Sequence, residues 1–343
     1  MKRNSSIELA RIMSIAFILL SHFSLWSNWD LSHQGFLNYG LTMIYQPIGK
    51  FGAYVFVLIT SYFSLKKDID PMNYEKKQLK HSLITMKEVW FYSLLIFFIT
   101  WGSNILQPTI WNAFKAIFPF IDHEYWFVTT YIMLVLLIPF LNIVSINLDF
   151  REHFTLLLVL IFFDSLSLIH NYTMSDYLAS FIVVYFIGTF LKKYLQKLQQ
   201  IKSWMLGVNI FFIWMFEIIL MVVLFQIGHA TAGIRFTDKL LAFDGATSIF
   251  ILFLRAKSFH NLIINKIAKT VFAAYLLTDN PFTRHFVWDH IFQTFKFQNY
   301  LWVPIYGLIC IGLIIAVTFV IDTIRSKFFQ HIERHLKKLN LKI

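Results

Sequence analysis

Apolar runs of roughly fifteen or more residues recur along the whole 343-residue chain, separated only by short polar clusters. Each is long enough to cross most of a hydrocarbon layer about 30 Å thick. Composition points the same way, because 14% of the residues are charged, 57% hydrophobic and 19% aromatic, against about a quarter charged in ordinary soluble domains. In lipid, only helices and closed barrels satisfy every backbone polar group. Barrel strands alternate apolar with polar residues, and stretches such as Tyr131 to Leu141 do not. The pattern predicts an all-α polytopic membrane bundle of about ten transmembrane helices, near residues 7–26, 47–65, 84–104, 124–144, 153–170, 175–193, 204–227, 240–254, 267–280 and 300–321.

The net charge of +11 raises the question of nucleic acid, and its distribution answers it. With the N-terminus inside, most Lys and Arg residues fall in cytoplasmic segments or helix ends, among them Lys66, Lys67, Lys76, Lys77, Lys192, Lys193, Lys337 and Lys338. The excess is therefore a topology signal that puts both termini in the cytoplasm, and no nucleic-acid partner is expected. Lys2 and Arg3 form a short basic leader, but Glu8 and Arg11 interrupt the apolar run and no small-x-small cleavage site follows, so a retained first span is expected. One cysteine, Cys310, excludes a disulfide framework and a multi-cysteine metal site.

The chain divides into one membrane domain, residues 1–324, and a tail, 325–343. Lys66 to Glu88, the longest polar stretch, is expected to be a loop with an interfacial helix as the alternative. In the tail Phe328, Phe329, Ile332, Leu336 and Leu339 stand near helical spacing among basic residues. This suits a basic amphipathic helix on the inner leaflet, with a solvated charged tail as the alternative. The proline of Asp279-Asn280-Pro281 is expected to end the ninth span.

Ionisable residues inside spans single out candidate sites, since each costs about 2.5–3.5 kcal/mol on insertion scales and needs a partner or an aqueous cavity. Arg11 and His22 are eleven residues apart, which returns to within about 20° of one direction after about 16 Å of rise. Glu8, three residues before Arg11, shares their face. The stripe reads either as a working site or as Glu8 and Arg11 reaching the inner interface while His22 packs near the outer one. Glu217 lies mid-span and needs a partner; Asp164 and Asp244, in outer halves, read as structural. The outer loops carry Trp26, Trp29, His33, Tyr39, Trp111, Asn112, His123, Arg284, His285, Trp288 and His290. They form either a sugar-stacking surface or an interfacial aromatic belt. The H-x-x-x-D spacing of His285 and Asp289 is too short a pattern to assign, and no metal motif, Walker loop or dinucleotide fingerprint is present.

Several blocks resemble the acyltransferase 3 family of membrane enzymes. Arg3-Asn4-Ser5-Ser6-Ile7-Glu8-Leu9-Ala10-Arg11 followed by Ser21-His22-Phe23 is similar to its first helix, with an Arg, ten residues, then a His. Gly49-Lys50-Phe51-Gly52 leading into Phe56 to Phe63 resembles its second helix. Glu124-Tyr125-Trp126-Phe127 with Tyr131 and Pro139 to Asn142 resembles its fourth. Asn265-Lys266-Ile267-Ala268, Tyr275 and Asn280-Pro281 are similar to its late block. Two positions depart from the pattern: Ser61 stands where Gly is common, and Thr278 where His is frequent.

The resemblance implies acyl transfer from acetyl-coenzyme A, a donor and not a permanently bound cofactor, to a hydroxyl of a polysaccharide or its lipid-linked glycan precursor outside a bacterial cytoplasmic membrane. It further implies His22 as general base, Arg11 near the donor phosphates, and Lys50, Trp126, Tyr131, Tyr275 and Asn280 as supporting or substrate-side groups, to which the cost of a mid-span charge adds Glu217 and pairing with Arg11 adds Glu8. An imidazole titrating near neutrality suits the base role; a transient acyl-histidine is the less favoured variant. Within these residues no extracytoplasmic domain is present, so the membrane domain is expected to hold both sites or to pass the acyl group to a partner. Membrane lipids are the other expected partners, and a homo-oligomer stays open. The alternative function is a transporter or flippase using Arg11, His22 and Glu217.

Overall fold

The structure, a computed structural model, describes residues 3–31, 35–66, 71–105, 107, 109–120, 125–166, 175–198 and 200–338. Lys2, His33, Lys67, His123, Glu124 and Leu339 lie outside the described residues. The described chain is helical and contains no strand: α1 (Ser5–Trp26), α2 (Phe36–Thr42), α3 (Ile48–Ser64), α4 (Pro71–Gly102), α5 (Ile110–Ile117), α6 (Trp126–Asn147), α7 (Phe150–Leu166), α8 (Ser175–Tyr194), α9 (Ser203–Gln226), α10 (Ala230–Phe236), α11 (Leu240–Arg255), α12 (Leu262–Asp279) and α13 (Val303–Lys338).

Each of the ten expected spans coincides with one of these helices. Among the described residues six stretches are long and apolar enough to cross a membrane: Ser5–Trp26, Tyr74–Gly102, Trp126–Asn147, Tyr177–Lys197, Ser203–Gln226 and Val303–Ile332. The other four fall short for simple reasons: α3 and α7 have 17 residues and α11 has 16, while α12 carries Lys266, Lys269 and Asp279. Outward faces are apolar, as on α9, where Phe211, Phe212 and Phe216 are exposed, and on α13, where Leu308, Ile309, Leu313 and Val317 are exposed. Surfaces of this kind suit acyl chains as solvent.

One expectation changes. From Pro71 the polar stretch expected as a loop belongs to the 32-residue α4, whose first position tolerates a proline because its N–H has no intrahelical partner. The start of the tail is helical and continuous with α13. It is held there by Arg325, which donates from Nε to Asp322 (2.5 Å) and from Nη2 to Glu88 of α4 (3.1 Å).

α1 is the central helix, packed against α3, α11, α12 and α13. Its start is fastened from both sides. Asn4 caps it by accepting from the Ser6 N–H at 3.1 Å. Ser5 donates from its N–H to the Phe259 carbonyl (2.9 Å) and from Oγ to Asn265 Oδ1 (2.9 Å), which ties the first block to the late one. α12 ends at Asp279 because Asn280, which precedes a proline, is extended (φ −62°, ψ 128°).

α3 reaches α1 through glycines. A Cβ on Gly52 would stand 2.3 Å from the Ser14 carbonyl oxygen, and one on Gly49 would stand 2.4 Å from Ser21 Cβ. The departure at Ser61 is accommodated in the same way from the opposite side. Its fully buried side chain meets Gly188 of α8, whose missing Cβ leaves the space, and its hydroxyl donates to the Val57 carbonyl at 2.8 Å. Replacing Gly52 by Val forces α3 off α1. The expected loss is about 1–3 kcal/mol or more, read as a lower unfolding temperature of the detergent-solubilised protein. An unchanged melt contradicts the contact.

Candidate functional site

The two ends of α1 carry different chemistry. At its N-terminal end, Glu8 is buried and accepts from Arg11 Nη1 at 2.9 Å while pairing with Arg3 at 3.5 Å. One carboxylate thus holds two guanidinium groups. They face a cavity of about 740 Å³ whose further walls come from α3, α4, α6 and α12. Arg3, Arg11, Lys66, Lys77 and Lys269 outnumber the acidic groups there, Glu8 and Glu88. A concavity with that imbalance concentrates a multiply charged anion. On its α1 wall Arg11 is the lining residue furthest toward the C-terminal end, and Phe56, Thr60 and Tyr131 line the same cavity. Tyr131 is tied to Thr60 Oγ1 at 2.9 Å.

About 16 Å further along the helix axis, at the standard rise, His22 is buried against α12. Its Nε2 stands 3.6 Å from Asp279 Oδ1 and its Nδ1 stands 3.3 Å from Thr278 Oγ1. The Thr278 hydroxyl also donates to the Ala274 carbonyl at 2.9 Å, which leaves its oxygen able to accept from the imidazole. Each ring nitrogen therefore has an oxygen acceptor within reach. Asp279 is itself fixed. Its Oδ2 accepts from the Tyr275 hydroxyl at 2.7 Å, and Arg284 pairs with Oδ1 at 3.8 Å while donating from Nε and Nη2 to the Asp279 carbonyl at 3.2 and 2.7 Å. Oδ1 has no hydrogen bond among the described residues and faces the His22 ring and the Arg284 guanidinium.

The helix end creates this cluster. Asn280 and Pro281 turn the chain, so that Arg284 returns over the last carbonyl of α12 and lies 4.3 Å above the Trp26 ring at the end of α1. Asn280 does not touch His22. It donates from Nδ2 to the Tyr125 hydroxyl at 2.7 Å, and Tyr125 in turn donates to the Leu276 carbonyl at 3.1 Å.

Lys50 and Trp126 meet in a third group. The Lys50 ammonium lies 4.3 Å from the Trp126 ring centre and 4.5 Å from that of Tyr177, and it pairs with Asp238 at 3.5 Å. Because Gly49 sits against Ser21, this group stands at the level of His22 along α1.

Glu217 stands apart. It is fully buried, and both carboxyl oxygens lack a hydrogen bond among the described residues, so the partner expected for it is not found there. Its helix, α9, packs on α2, α10 and α11. Asp164 has the structural role expected of it, accepting from Ser180 (3.0 and 3.1 Å) and Lys239 (3.3 Å). Asp244 accepts from Asn209 at 3.1 Å.

In the sequence Asp279 marks only a helix end and Arg284 is one of several outer-loop groups, although an acid at the end of an apolar span is an available signal. Thr278, a departure from the family pattern, lies against His22. Lys77, His81 and Lys269 gave no sign from the sequence that they share a cavity with Arg11.

A family model described as an acyltransferase domain matches residues 4–323. No curated protein and no solved structure is similar to the chain at a significant level. The match takes in both clusters on α1 and all of α12, and with several helices apolar enough to span a membrane it establishes that the chain belongs to the acyltransferase 3 family, as a multi-pass membrane acyltransferase.

Proposed function

We propose that this protein transfers an acetyl group from acetyl-coenzyme A to a hydroxyl of an extracytoplasmic polysaccharide or its lipid-linked precursor. In this reading it spans the bacterial cytoplasmic membrane ten times with both termini inside. Helices at all ten apolar segments and the one-sided distribution of basic residues support that topology. The reading rests chiefly on one observation: a single face of α1 carries a basic cavity at Arg11 and a His22–Asp279 pair about three turns further on. Phosphates of the donor would be held among Arg3, Arg11, Lys77 and Lys269, with the acyl-pantetheine arm directed along α1. Lys50, Trp126 and Tyr177 would meet the acceptor from the other side.

In the transfer, the Asp279 carboxylate, 3.6 Å from Nε2 of His22, favours the tautomer with its proton there, and the acceptor hydroxyl takes the place of Thr278 Oγ1 at Nδ1, the base. Nδ1 takes the proton of the acceptor hydroxyl as its oxygen bonds to the thioester carbonyl carbon. The carbon–sulfur bond breaks, and the thiolate leaves with the proton returned from the imidazolium. Ester and free coenzyme A result, and the ring ends neutral. Arg284 and Tyr275 position Asp279 and make no contact with the reacting atoms. A transport pathway through Arg11, His22 and Glu217 has less support, because Glu217 makes no ion pair or hydrogen bond with either among the described residues.

Replacing His22 by Ala is expected to lower turnover by about 10²–10⁴-fold while leaving the protein folded, because Asp279 keeps Tyr275 and Arg284, and donor affinity near that of the parent protein. A folded variant with retained turnover overturns the assignment. Replacing Arg11 by Ala is expected to weaken acetyl-coenzyme A binding about tenfold or more, the worth of a hydrogen bond to a charged group, without orphaning Glu8, which keeps Arg3. Isothermal titration of the solubilised protein checks this, and an unchanged affinity rejects the phosphate role. Surface glycans of cells with and without the protein should differ by one alkali-labile acetyl ester; identical glycans contradict the polysaccharide acceptor.

A further inference from the structure

Between the basic cavity and His22 the bundle is filled by rings. The cavity is lined on one side by Phe56 of α3 and Tyr131 of α6, whose ring centres are 5.4 Å apart. Phe56 in turn lies 5.6 Å from Phe127 and 6.4 Å from Phe272. Both of these reach Tyr275, at 5.5 and 5.9 Å, and Tyr275 lies 5.9 Å from the His22 ring. The order follows from the helices. On α12, Ala268 lines the cavity, Phe272 is one turn further on and Tyr275 another, so the three share a face that leads from the cavity to Asp279. Phe127 and Tyr275 are almost fully buried, whereas Phe56 and Phe272 are only partly so.

Tyr275 cannot leave without giving up its hydrogen bond to Asp279. Phe56 and Phe272 have no polar tie and can turn aside. In the reading above, a thioester carried along α1 from the cavity to His22 comes to rest beside these two rings.

We infer that Phe56 and Phe272, backed by Phe127 and Tyr275, are the acyl-chain filter of the enzyme. They bound the space beside the thioester carbonyl, leaving room for a two-carbon acyl group and rejecting longer chains. The filter rests on the donor-cavity and His22 reading above. A close-packed interior resists even one added methylene, and a methylene in an apolar pocket discriminates by about 10–200-fold. The chemistry excluded is therefore the medium-chain acyl thioester, and the chemistry admitted is acetyl.

The test uses membrane vesicles from cells producing the full-length protein, which carry the endogenous acceptor, supplied with radiolabelled acetyl-, butyryl- or octanoyl-coenzyme A. Alkali-labile label is counted against matched vesicles carrying His22→Ala. The parent protein is expected to incorporate acetyl strongly and octanoyl at background. Phe272→Ala is expected to raise the butyryl-to-acetyl ratio about tenfold or more. Phe272→Trp is expected to lower acetyl transfer with acetyl-coenzyme A binding retained. If Phe272→Ala does not accumulate in the membrane, Phe272→Leu and Phe56→Leu take its place, and a ratio change in the same direction is expected. A variant that slows all donors in equal proportion shows a merely structural role and overturns the filter. Equal use of octanoyl and acetyl by the parent protein also overturns it, while leaving the His22 reading intact. Label that never exceeds the His22→Ala background with any donor overturns the His22 reading and the filter together.

Discussion

The central helix carries ionisable groups into an apolar bundle, and what holds the site together is the way each of them is matched. Glu8 is shared between two arginines, and His22 meets an aspartate and a threonine from α12. A buried group left without such partners costs several kcal/mol, so α1, α11 and α12 have little freedom to shift independently. The Ser5 bonds to Phe259 and Asn265 at one end and the His22–Asp279 pair at the other pin α1 to α12 along their shared length. Gly49 and Gly52 bring α3 against the same helix. Around that core the remaining helices add walls and a lipid-facing surface.

The consequence is a division of labour along one helix. Positive charge gathers at the open N-terminal end, where water lowers its cost, and the imidazole–carboxylate pair sits at the closed end among rings. Charge-assisted contacts bind strongly where an anion supplies the counter-charge. A buried pair, by contrast, keeps a defined geometry because its alternatives are costly. Arg11 and His22 thus belong to one helix, while the aromatic side chains between them come from three others.

Two further charged clusters lie in the spans. The Arg325–Asp322–Tyr92–Glu88 cluster and the Lys239–Asp164–Ser180 cluster are networks that fasten one helix to another. Glu217 belongs to neither. Both of its carboxyl oxygens are buried without a hydrogen bond among the described residues, and the packing offers no account of it.

The amino-acid sequence by itself determined that the chain is helical, where its helices lie, and that Arg11, Glu8 and His22 share a face. These properties follow from local periodicity and from the cost of charge in lipid, which act through residues close in sequence. Even the end of α12 was readable, because Pro281 constrains Asn280 locally. Only the tertiary structure decided that Asp279 and Thr278 face His22, that Arg284 folds back over them, and that Lys77 and Lys269 join Arg11 around one cavity. Apart from the short return of Arg284 to Asp279, those contacts join residues separated by tens to hundreds of positions. The direction a polar side chain takes at a helix end depends on which neighbouring helix arrives there, and no periodicity records that. The same limit explains α4: polarity suggested a loop after Lys66, but packing of an extended helix against the cavity made the segment a wall.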